Sequence, residues 1–338
     1  MASYTAKWVI MATGGIAQTF CNDLLSDPAA RDVSDIRHEI VAVSSSSTKE
    51  RADEFVKIVG GPSSVKTYGS YAQLVNDPDV EIVYIATPHS HHFQNTILAL
   101  EAGKHVLCEK AFTAVWTRHF PLSIKARELI SSGAIGTVYR TLADLSVDDD
   151  VGNGKLKYPD SHRMINPDLA GGAMLDPGIY SLLGFPDLVP YATRGAERGS
   201  QVSQQHHGHC HHKSSRQRQS RRPAHAGPSI RIQGTKGEIQ AMGPGGPLQC
   251  NVIYKKNPGN LEVVDGPIKG HFGMAWEADE CARCLRDGKK ESATLPLAES
   301  ITIMETMEEA LRQGGVTYPD LITTDVYDPQ SPLNTGNQ

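Results

Sequence analysis

A chain of 338 residues, of which 39% are hydrophobic and 21% charged, is long enough to form two domains, each with its own core. Its formal net charge of −5 argues against nucleic acid as the main partner, and no apolar run reaches the roughly 18 residues of a membrane-spanning helix. The six cysteines form no disulfide framework, and the first residues lack the apolar stretch of a signal peptide. These features favour a cytoplasmic protein that binds neither nucleic acid nor membranes.

Strand and helix signals alternate along the first third of the chain. Short apolar runs are separated by amphipathic stretches, a pattern typical of βαβ units on a parallel sheet buried on both faces. We therefore predict an N-terminal Rossmann domain, a doubly wound α/β unit, over residues 1–121. Its strands are expected at 8–11, 38–43, 81–86 and 105–108, and its helices at 16–25, 49–59 and 92–102.

The second part of the chain has a different pattern. A Gly-Thr-Lys-Gly turn joins two strand-like segments, 229–232 and 237–240, which predicts a hairpin. We expect an α+β domain with a mainly antiparallel sheet over residues 122–322, followed by a polar and mobile tail at 323–338. Further strands are expected at 136–147 and 251–254, and helices at 122–130, 274–286 and 297–313.

The turn between the first strand and the first helix carries a glycine motif. It reads Ala12-Thr13-Gly14-Gly15-Ile16-Ala17, close to the dinucleotide-binding pattern G-x-G-x-x-G/A but with Ala12 in the first glycine position. The middle glycine, Gly14, lets the backbone approach a pyrophosphate, and the helix N-terminus supplies amide donors. An ordinary tight turn is the alternative. The predicted cofactor contacts here are Thr13, Gly14, Gly15 and Ile16.

The end of the second strand indicates which dinucleotide binds. A carboxylate at this place bonds the ribose 2′-hydroxyl of NAD and repels a 2′-phosphate. Here the sequence reads Ser-Ser-Ser-Ser-Thr-Lys-Glu-Arg over residues 44–51, so hydroxyls and two cations replace the acid. NADP is therefore the predicted cofactor, against the alternative of a serine-rich loop before a solvated helix start. The residues assigned to its phosphate are Ser44, Ser45, Lys49 and Arg51.

Several spaced motifs together resemble one enzyme family. Thr87-Pro88-His89-Ser90-His91-His92 has the form T-P-x-x-x-H, and Glu109-Lys110-Ala111 has the form of an E-K-P turn. Over residues 7–182 and 228–320 the sequence resembles the Gfo/Idh/MocA oxidoreductases, in particular the subgroup of dimeric dihydrodiol dehydrogenases and fungal NADP-dependent D-xylose 1-dehydrogenases. The other matching segments are 114–118, 169–180 and 232–237.

The resemblance implies a set of site residues. Lys110 and Tyr180 would handle the proton, with Asp176 one helical turn before Tyr180, and the Lys110 ammonium would lower the pKa of the Tyr180 phenol. Trp116 and Arg118 would border the nicotinamide and the substrate. Taken singly, the lysine is an ordinary surface residue, the tyrosine a half-buried aromatic, and the Trp-Thr-Arg pair a packed loop anchor. The remaining residues assigned to the cofactor are Thr87, Pro88, His89, His92, Glu109 and Lys110.

The resemblance also implies an activity. We expect an NADP-dependent dehydrogenase that oxidises the anomeric hydroxyl of an aldose, with D-xylose favoured and a lactone as product. Oxidation of a trans-dihydrodiol to a catechol is the nearest enzymatic alternative. A degenerate NADP-binding protein without catalysis is the alternative from another class. The family further implies a homodimer acting on a small sugar or diol.

Two segments depart from the family pattern. The family pattern implies a further helix and parallel strand between the E-K turn and the Trp-Thr-Arg segment, and a parallel crossover needs a dozen or more residues. Here Thr113 is followed directly by Ala114, so we expect that about 20 residues are missing. Residues 183–227 are rich in His, Gln, Arg and Ser, which indicates a frame-shifted or mis-spliced reading, or else an insertion that binds a metal or a partner. We expect this chain to be poorly folded or inactive, with a weakened dimer. We predict no metal site at the clustered histidines or at Cys281-x-x-Cys284.

Overall fold

A computed structural model of the chain describes residues 3–110, 114–145, 150–152, 155–183, 228–242, 249–255, 257–265 and 272–335. Among these residues no helix is long and apolar enough to cross a membrane.

The N-terminal part forms a parallel sheet of five strands in the order β3-β2-β1-β4-β5. This arrangement confirms the predicted doubly wound domain, and a third strand and a third helix lie within it that the sequence pattern did not reveal. The strands are β1 (Tyr4–Met11), β2 (Ile36–Ser44), β3 (Lys66–Tyr68), β4 (Ile82–Ile85) and β5 (His105–Cys108). The helices are α1 (Gly15–Leu24), α2 (Lys49–Ile58), α3 (Tyr71–Val75) and α4 (His92–Glu101).

Both faces of this sheet are buried, as its nearly continuous apolar strands require. Because successive side chains of a strand point to opposite faces, Trp8 and Ile10 pack with Phe20 of α1. Val9 and Met11 pack on the other face, in a second cluster that includes residues of α3 and α4. The sheet therefore provides a rigid base, and the loops at its C-terminal edge carry the motifs.

The second part forms an antiparallel sheet of five strands, and it confirms the predicted hairpin. Helix α5 (Pro121–Ser131) packs on it through Leu122 and Leu129. The strands in chain order are β6 (Val138–Ala143), the two-stranded pair β7 (Asp150–Gly152) and β8 (Lys155–Leu156), then β9 (Ile230–Gly234), β10 (Gly237–Met242), β11 (Gln249–Tyr254) and β12 (Asn257–Asp265). The order in the main sheet is β12-β11-β10-β9-β6.

The remaining helices lie between residues 174 and 335. A single wide π-helical turn, Met174–Gly178, leads into α6 (Ile179–Leu183). The later helices are α7 (Ala275–Arg286), α8 (Leu297–Gln313), α9 (Asp320–Thr323) and α10 (Pro332–Thr335).

Helix α7 packs against the parallel sheet, although the sequence assigned it to the second domain. Ala278 and Ala282 of α7, together with Met274 just before the helix, are part of the hydrophobic cluster under β1. The Asp23 carboxylate of α1 accepts hydrogen bonds from the backbone amides of Gly273 and Met274, at 2.7 and 2.8 Å. A helix N-terminus favours such a carboxylate, so this contact fixes α7 to the N-terminal domain.

The C-terminal tail packs against α4, and the expected mobility of the tail stays a prediction. Asn95 of α4 donates from Nδ2 to the carbonyl of Leu333 at 2.9 Å, and Gln94 donates to the carbonyl of Val326 at 2.9 Å. Leu333 itself is buried. These contacts use backbone acceptors of the tail, which a polar composition does not reveal.

The two departures from the family pattern fall mainly outside the described residues. Residues 111–113 and 184–227 are among those that the structure does not describe. Glu109 and Ala114, on either side of the first gap, form a parallel bridge. Between β5 and α5 the described residues contain only a short 3-10 helix, Trp116–His119. The loss of a helix–strand unit at this point stays a prediction.

Candidate active site

The glycine turn after β1 leaves open space at the start of α1. A Cβ atom added at Gly14 or Gly15 would meet no atom within 4 Å, and no described side chain caps the helix at Gly14. The first amides of α1 are therefore free to receive an anion. Ala12, at the position of the first glycine, has φ of +88°, in the region that favours glycine.

The start of α2 places one cation beside the glycine turn. Arg51 donates from Nε to the Thr13 hydroxyl at 3.4 Å. Lys49 instead pairs with Asp53 at 3.1 Å on the exposed side of α2. Ser44 is fully buried, and its hydroxyl donates to the carbonyl of Ser45 at 3.3 Å. It is the last β2 residue paired with β1, so it lies inside the sheet, and its contact with the cofactor stays a prediction.

The loop after β4 presents a buried hydroxyl and two neutral imidazoles. The Thr87 hydroxyl is buried, and it has no hydrogen-bond partner among the residues that the structure describes. His92 donates from Nε2 to the carbonyl of Thr87 at 2.9 Å, and His89 donates from Nδ1 to the carbonyl of Ala170 at 3.2 Å. Burial lowers the pKa of His92 to about 3 and that of His89 to about 4, so both rings are uncharged near neutrality.

Lys110 forms an ion pair with the Asp176 carboxylate in this region. Its Nζ lies 2.7 Å from Asp176 Oδ1, and the other carboxylate oxygen is 2.7 Å from Nη1 of Arg163. Burial acts to raise the pKa of the Asp176 carboxyl. The charge and hydrogen bond of Lys110, together with Arg163, outweigh burial and hold it below its usual range. Asp176 is therefore ionised and bridges two cations.

Tyr180 contacts Trp116 rather than Lys110. Trp116 donates from Nε1 to the Tyr180 hydroxyl at 2.9 Å. Burial, helped by the nearby carboxyl of Glu109, raises the pKa of Tyr180 well above its ordinary value. The prediction that the Lys110 ammonium lowers this pKa is wrong, since that ammonium bonds Asp176 and a buried phenol resists ionisation.

Comparisons with known proteins identify the family. Residues 6–127 match the GFO_IDH_MocA model, an oxidoreductase family with an NAD-binding Rossmann fold. The chain is 55% identical to D-xylose 1-dehydrogenase (NADP(+)) of Hypocrea jecorina, with 99% of this chain and 98% of that protein covered. The chain belongs to the Gfo/Idh/MocA oxidoreductases. It is also 32% identical to mouse trans-1,2-dihydrobenzene-1,2-diol dehydrogenase, with coverage of 93% and 98%.

Solved structures of Gfo/Idh/MocA-like enzymes agree with the fold. Levoglucosan dehydrogenase in complex with NADH and levoglucosan aligns with a TM-score of 0.61 at 16% identity, over 90% of this chain and 97% of that one. An NAD-binding oxidoreductase from Klebsiella pneumoniae aligns with a TM-score of 0.64 at 17% identity, over 92% and 98%. At such identities the likeness concerns the fold alone.

The alignment with the Hypocrea jecorina enzyme is longer than this chain. It spans 387 positions, whereas the chain has 338 residues, so at least 49 positions have no residue here.

Arg118 contacts α8 and the segment before it. Its Nη2 donates to both carboxylate oxygens of Glu299 on α8, at 2.6 and 2.8 Å, and its Nε donates to the carbonyl of Thr294 at 3.1 Å. These contacts support the alternative role of Arg118 as a packed loop anchor. Its contact with nicotinamide and substrate stays a prediction.

Glu109 points into the core beneath Lys110. Its carboxyl accepts a hydrogen bond from the Tyr84 hydroxyl at 2.5 Å and one from the Lys110 amide at 3.3 Å. Burial raises the pKa of this carboxyl. Its contact with a cofactor, like that of Pro88 at the start of the loop, stays a prediction.

Sequence reasoning missed Arg163, which lies outside every motif and becomes visible only through its contact with Asp176.

Proposed function

We propose that this chain is an NADP-dependent dehydrogenase that oxidises the anomeric hydroxyl of an aldose, with D-xylose as the favoured substrate and a lactone as the product. The observation that carries the proposal is the 55% identity to a D-xylose 1-dehydrogenase (NADP(+)) across nearly the full length of both proteins. The cluster of Lys110, Asp176, Trp116 and Tyr180 supports it, because a carbinol oxidation needs polar groups that hold the hydroxyl and manage its proton.

The residues at the sheet edge fit a dinucleotide. The open space at Gly14 and Gly15 suits a pyrophosphate. The buried Thr87 hydroxyl, which has no partner among the described residues, suits a ligand group at that point. Arg51 beside the glycine turn suits the 2′-phosphate of NADP. When bound, NADP supplies the hydride acceptor. The chain's residues have to bind the sugar, orient its carbinol and move one proton.

Tyr180 is the group that we assign to the reacting oxygen. Its hydroxyl accepts the Trp116 hydrogen bond, so its own proton is available to a substrate oxygen. Because burial keeps the phenol protonated near neutrality, Tyr180 is ready to donate a proton in the reduction of a carbonyl. In the oxidation direction it must first lose that proton, which favours alkaline conditions. Lys110, fixed by Asp176, supplies a positive charge to the same cluster.

A second candidate is oxidation of trans-dihydrodiols. Relatives that carry the name trans-1,2-dihydrobenzene-1,2-diol dehydrogenase are 29–32% identical and cover 92–93% of this chain. The higher identity to the xylose enzyme favours the aldose. The third candidate is a protein that binds NADP without catalysis.

Steady-state assays with the purified full chain separate these candidates. NADP is offered with D-xylose and, separately, with trans-1,2-dihydrobenzene-1,2-diol, while NADPH formation is followed by absorbance. A higher kcat/KM for D-xylose supports the proposal, whereas a higher value for the diol supports the second candidate. Fluorescence-detected NADPH binding with no turnover of either substrate would mean a non-catalytic protein.

We also propose that the chain forms a homodimer and acts in the cytoplasm. The antiparallel sheet supports the first proposal, since its edge strand β6 exposes the large side chains Tyr139 and Leu142. Sedimentation equilibrium tests the dimer, and a mass equal to one chain at micromolar concentration would contradict it. Imaging of the tagged chain in cells tests the location.

A further inference from the structure

Asp176 connects two cations of different exposure. Its Oδ1 is bonded by Lys110 and its Oδ2 by Arg163, each at 2.7 Å. The Lys110 side chain is 11% exposed and that of Asp176 14%, whereas the Arg163 side chain is 52% exposed. Arg163 therefore approaches the pair from the solvent side and bonds the carboxylate oxygen that Lys110 does not contact.

The backbone around Arg163 is fixed by tight packing. A Cβ atom at Gly171 would lie 2.9 Å from the Arg163 carbonyl and 2.8 Å from backbone atoms of Asn166, so only glycine fits there. The Gly171 carbonyl accepts a hydrogen bond from the Tyr318 hydroxyl at 3.0 Å. Next to it, the Ala170 carbonyl accepts the bond from His89. Arg163 is thus held against the loop that carries His89.

We propose that Arg163 is a positioning residue for the dehydrogenase reaction: by occupying one oxygen of Asp176, it restricts Lys110 to the other oxygen and holds the ammonium beside the reacting groups. The proposal rests on the proposed function. It gives the Lys110–Asp176 pair a defined geometry, because a carboxylate with one partner on each oxygen cannot rotate to chelate a single ammonium.

Arg163 also sets the charge balance of the cluster. The charged and titratable groups that face Asp176 are Lys110, Arg163 and His89, with the carboxyl of Glu109 below. Loss of the guanidinium removes one positive charge. The pKa of Asp176 and that of His89 then rise, because Arg163 lowers both in the intact protein. The same loss of positive charge opposes ionisation of the Tyr180 phenol, whose pKa the Asp176 carboxylate already raises, so NADP reduction requires a higher pH.

The test compares neutral and charge-keeping substitutions of the full chain. Arg163→Gln and Arg163→Met remove the charge, Arg163→Lys keeps it, and Arg312→Gln removes an exposed guanidinium on α8 as a matched control. We expect the rising alkaline limb of kcat/KM for NADP reduction to move up by about 0.5–1 pH unit in both neutral variants. Arg163→Lys restores most of that shift, and NADPH binding stays within about twofold because no cofactor contact changes.

A structural role would lower kcat or the folded fraction without moving the limb, and that result overturns the proposal. Failure of both neutral variants to fold overturns it as well. If the wild-type chain turns over no substrate, the proposed function fails. The effect of Arg163 is then measured as the pKa of His89, by NMR titration with the His89 signals assigned from the spectrum of a His89→Gln variant. A higher pKa of His89 in Arg163→Gln supports the proposal, and an unchanged pKa contradicts it.

Discussion

The hydroxyl of Tyr180 is the single atom group on which the proposed chemistry depends most. It is buried and accepts a hydrogen bond from Trp116. The Lys110 ammonium bonds the Asp176 carboxylate instead of this hydroxyl. At the residue scale, the motifs predicted which side chains meet. They did not predict the pairing, because a motif fixes the sequence position of a side chain and not the partner that packing assigns to it.

Tyr180→Phe removes only this hydroxyl. We expect NADPH binding to survive and turnover to fall by about 10²–10⁴-fold, because the proton-transfer group is lost. In the wild type, NADP reduction should rise with pH above neutrality, since the raised pKa of Tyr180 keeps the phenol protonated at lower pH. Tyr139→Phe, at an exposed site, is the control. A Tyr180→Phe variant that keeps more than half its activity would assign proton transfer to another group, with Asp176 or His92 next.

The cofactor preference depends on Arg51. Its contact with the glycine turn favours a 2′-phosphate, whereas Lys49 is already paired with Asp53. Arg51→Ala should weaken NADPH binding by about tenfold or more and leave NADH binding nearly unchanged, as expected for the loss of one charge-assisted contact. Lys49→Ala should have the smaller effect. Fluorescence titration with each dinucleotide measures the two affinities. Equal losses of affinity for NADPH and NADH would contradict the assignment of Arg51 to the 2′-phosphate.

Individual elements show where a short sequence pattern succeeds and where it does not. Most strands and helices of the two sheets follow their apolar periodicity and were predicted close to their observed positions, whereas β3, β12 and α3 were not predicted. The docking of α7 and of the tail was not predicted, because it depends on the Asp23 carboxylate and on Gln94 and Asn95 meeting backbone groups far along the chain. Periodicity reveals the buried face of an element but not the surface that buries it.

The turn between β1 and α1 contains a strained alanine. Ala12 has φ of +88°, where a Cβ is unfavourable by about 1–2 kcal/mol. Ala12→Gly should therefore raise the free energy of unfolding by about 0.5–1 kcal/mol, after the entropy cost of glycine is subtracted. Ala126→Gly, inside α5, should lower it by about 1 kcal/mol. Urea unfolding measures both changes, and a destabilised Ala12→Gly would show that the turn carries no strain.

The link between α1 and α7 is a second element-scale feature. Asp23→Ala removes the carboxylate that accepts the first amides of the α7 region. We expect a loss of about 1–2 kcal/mol in unfolding free energy, and a smaller loss for Asp23→Asn, which keeps one acceptor. Asp287→Ala, at an exposed carboxylate, should change stability by less than about 0.5 kcal/mol. Thermal unfolding checks the order of the three variants, and an Asp23→Ala variant as stable as Asp287→Ala would mean that α7 docks without this contact.

At the scale of the whole molecule, sequence motifs predicted the fold class and the family, and the assignment of the site residues stays a prediction. The parallel sheet brings the glycine turn and the loops after β4 and β5 to one edge, so motifs far apart in sequence meet there. Arg163 was missed because its segment has no recognisable pattern, and the ion pair of Arg118 with Glu299 on α8 was not predicted because it depends on packing. The expectations that the chain is poorly folded or inactive, with a weakened dimer, stay predictions.

The central claim is that this chain transfers hydride from the anomeric carbon of an aldose to NADP. Isotope transfer tests it directly, even in a slow enzyme: purified chain is incubated with NADP and D-xylose deuterated at C1, and the reduced cofactor is analysed by mass spectrometry. The account predicts NADPH that carries one deuterium, formed together with the lactone or its hydrolysis product, and unlabelled NADPH when the deuterium is at C2 instead. Bound NADP that stays oxidised after prolonged incubation, or NADPH that acquires its label from C2, would contradict the account.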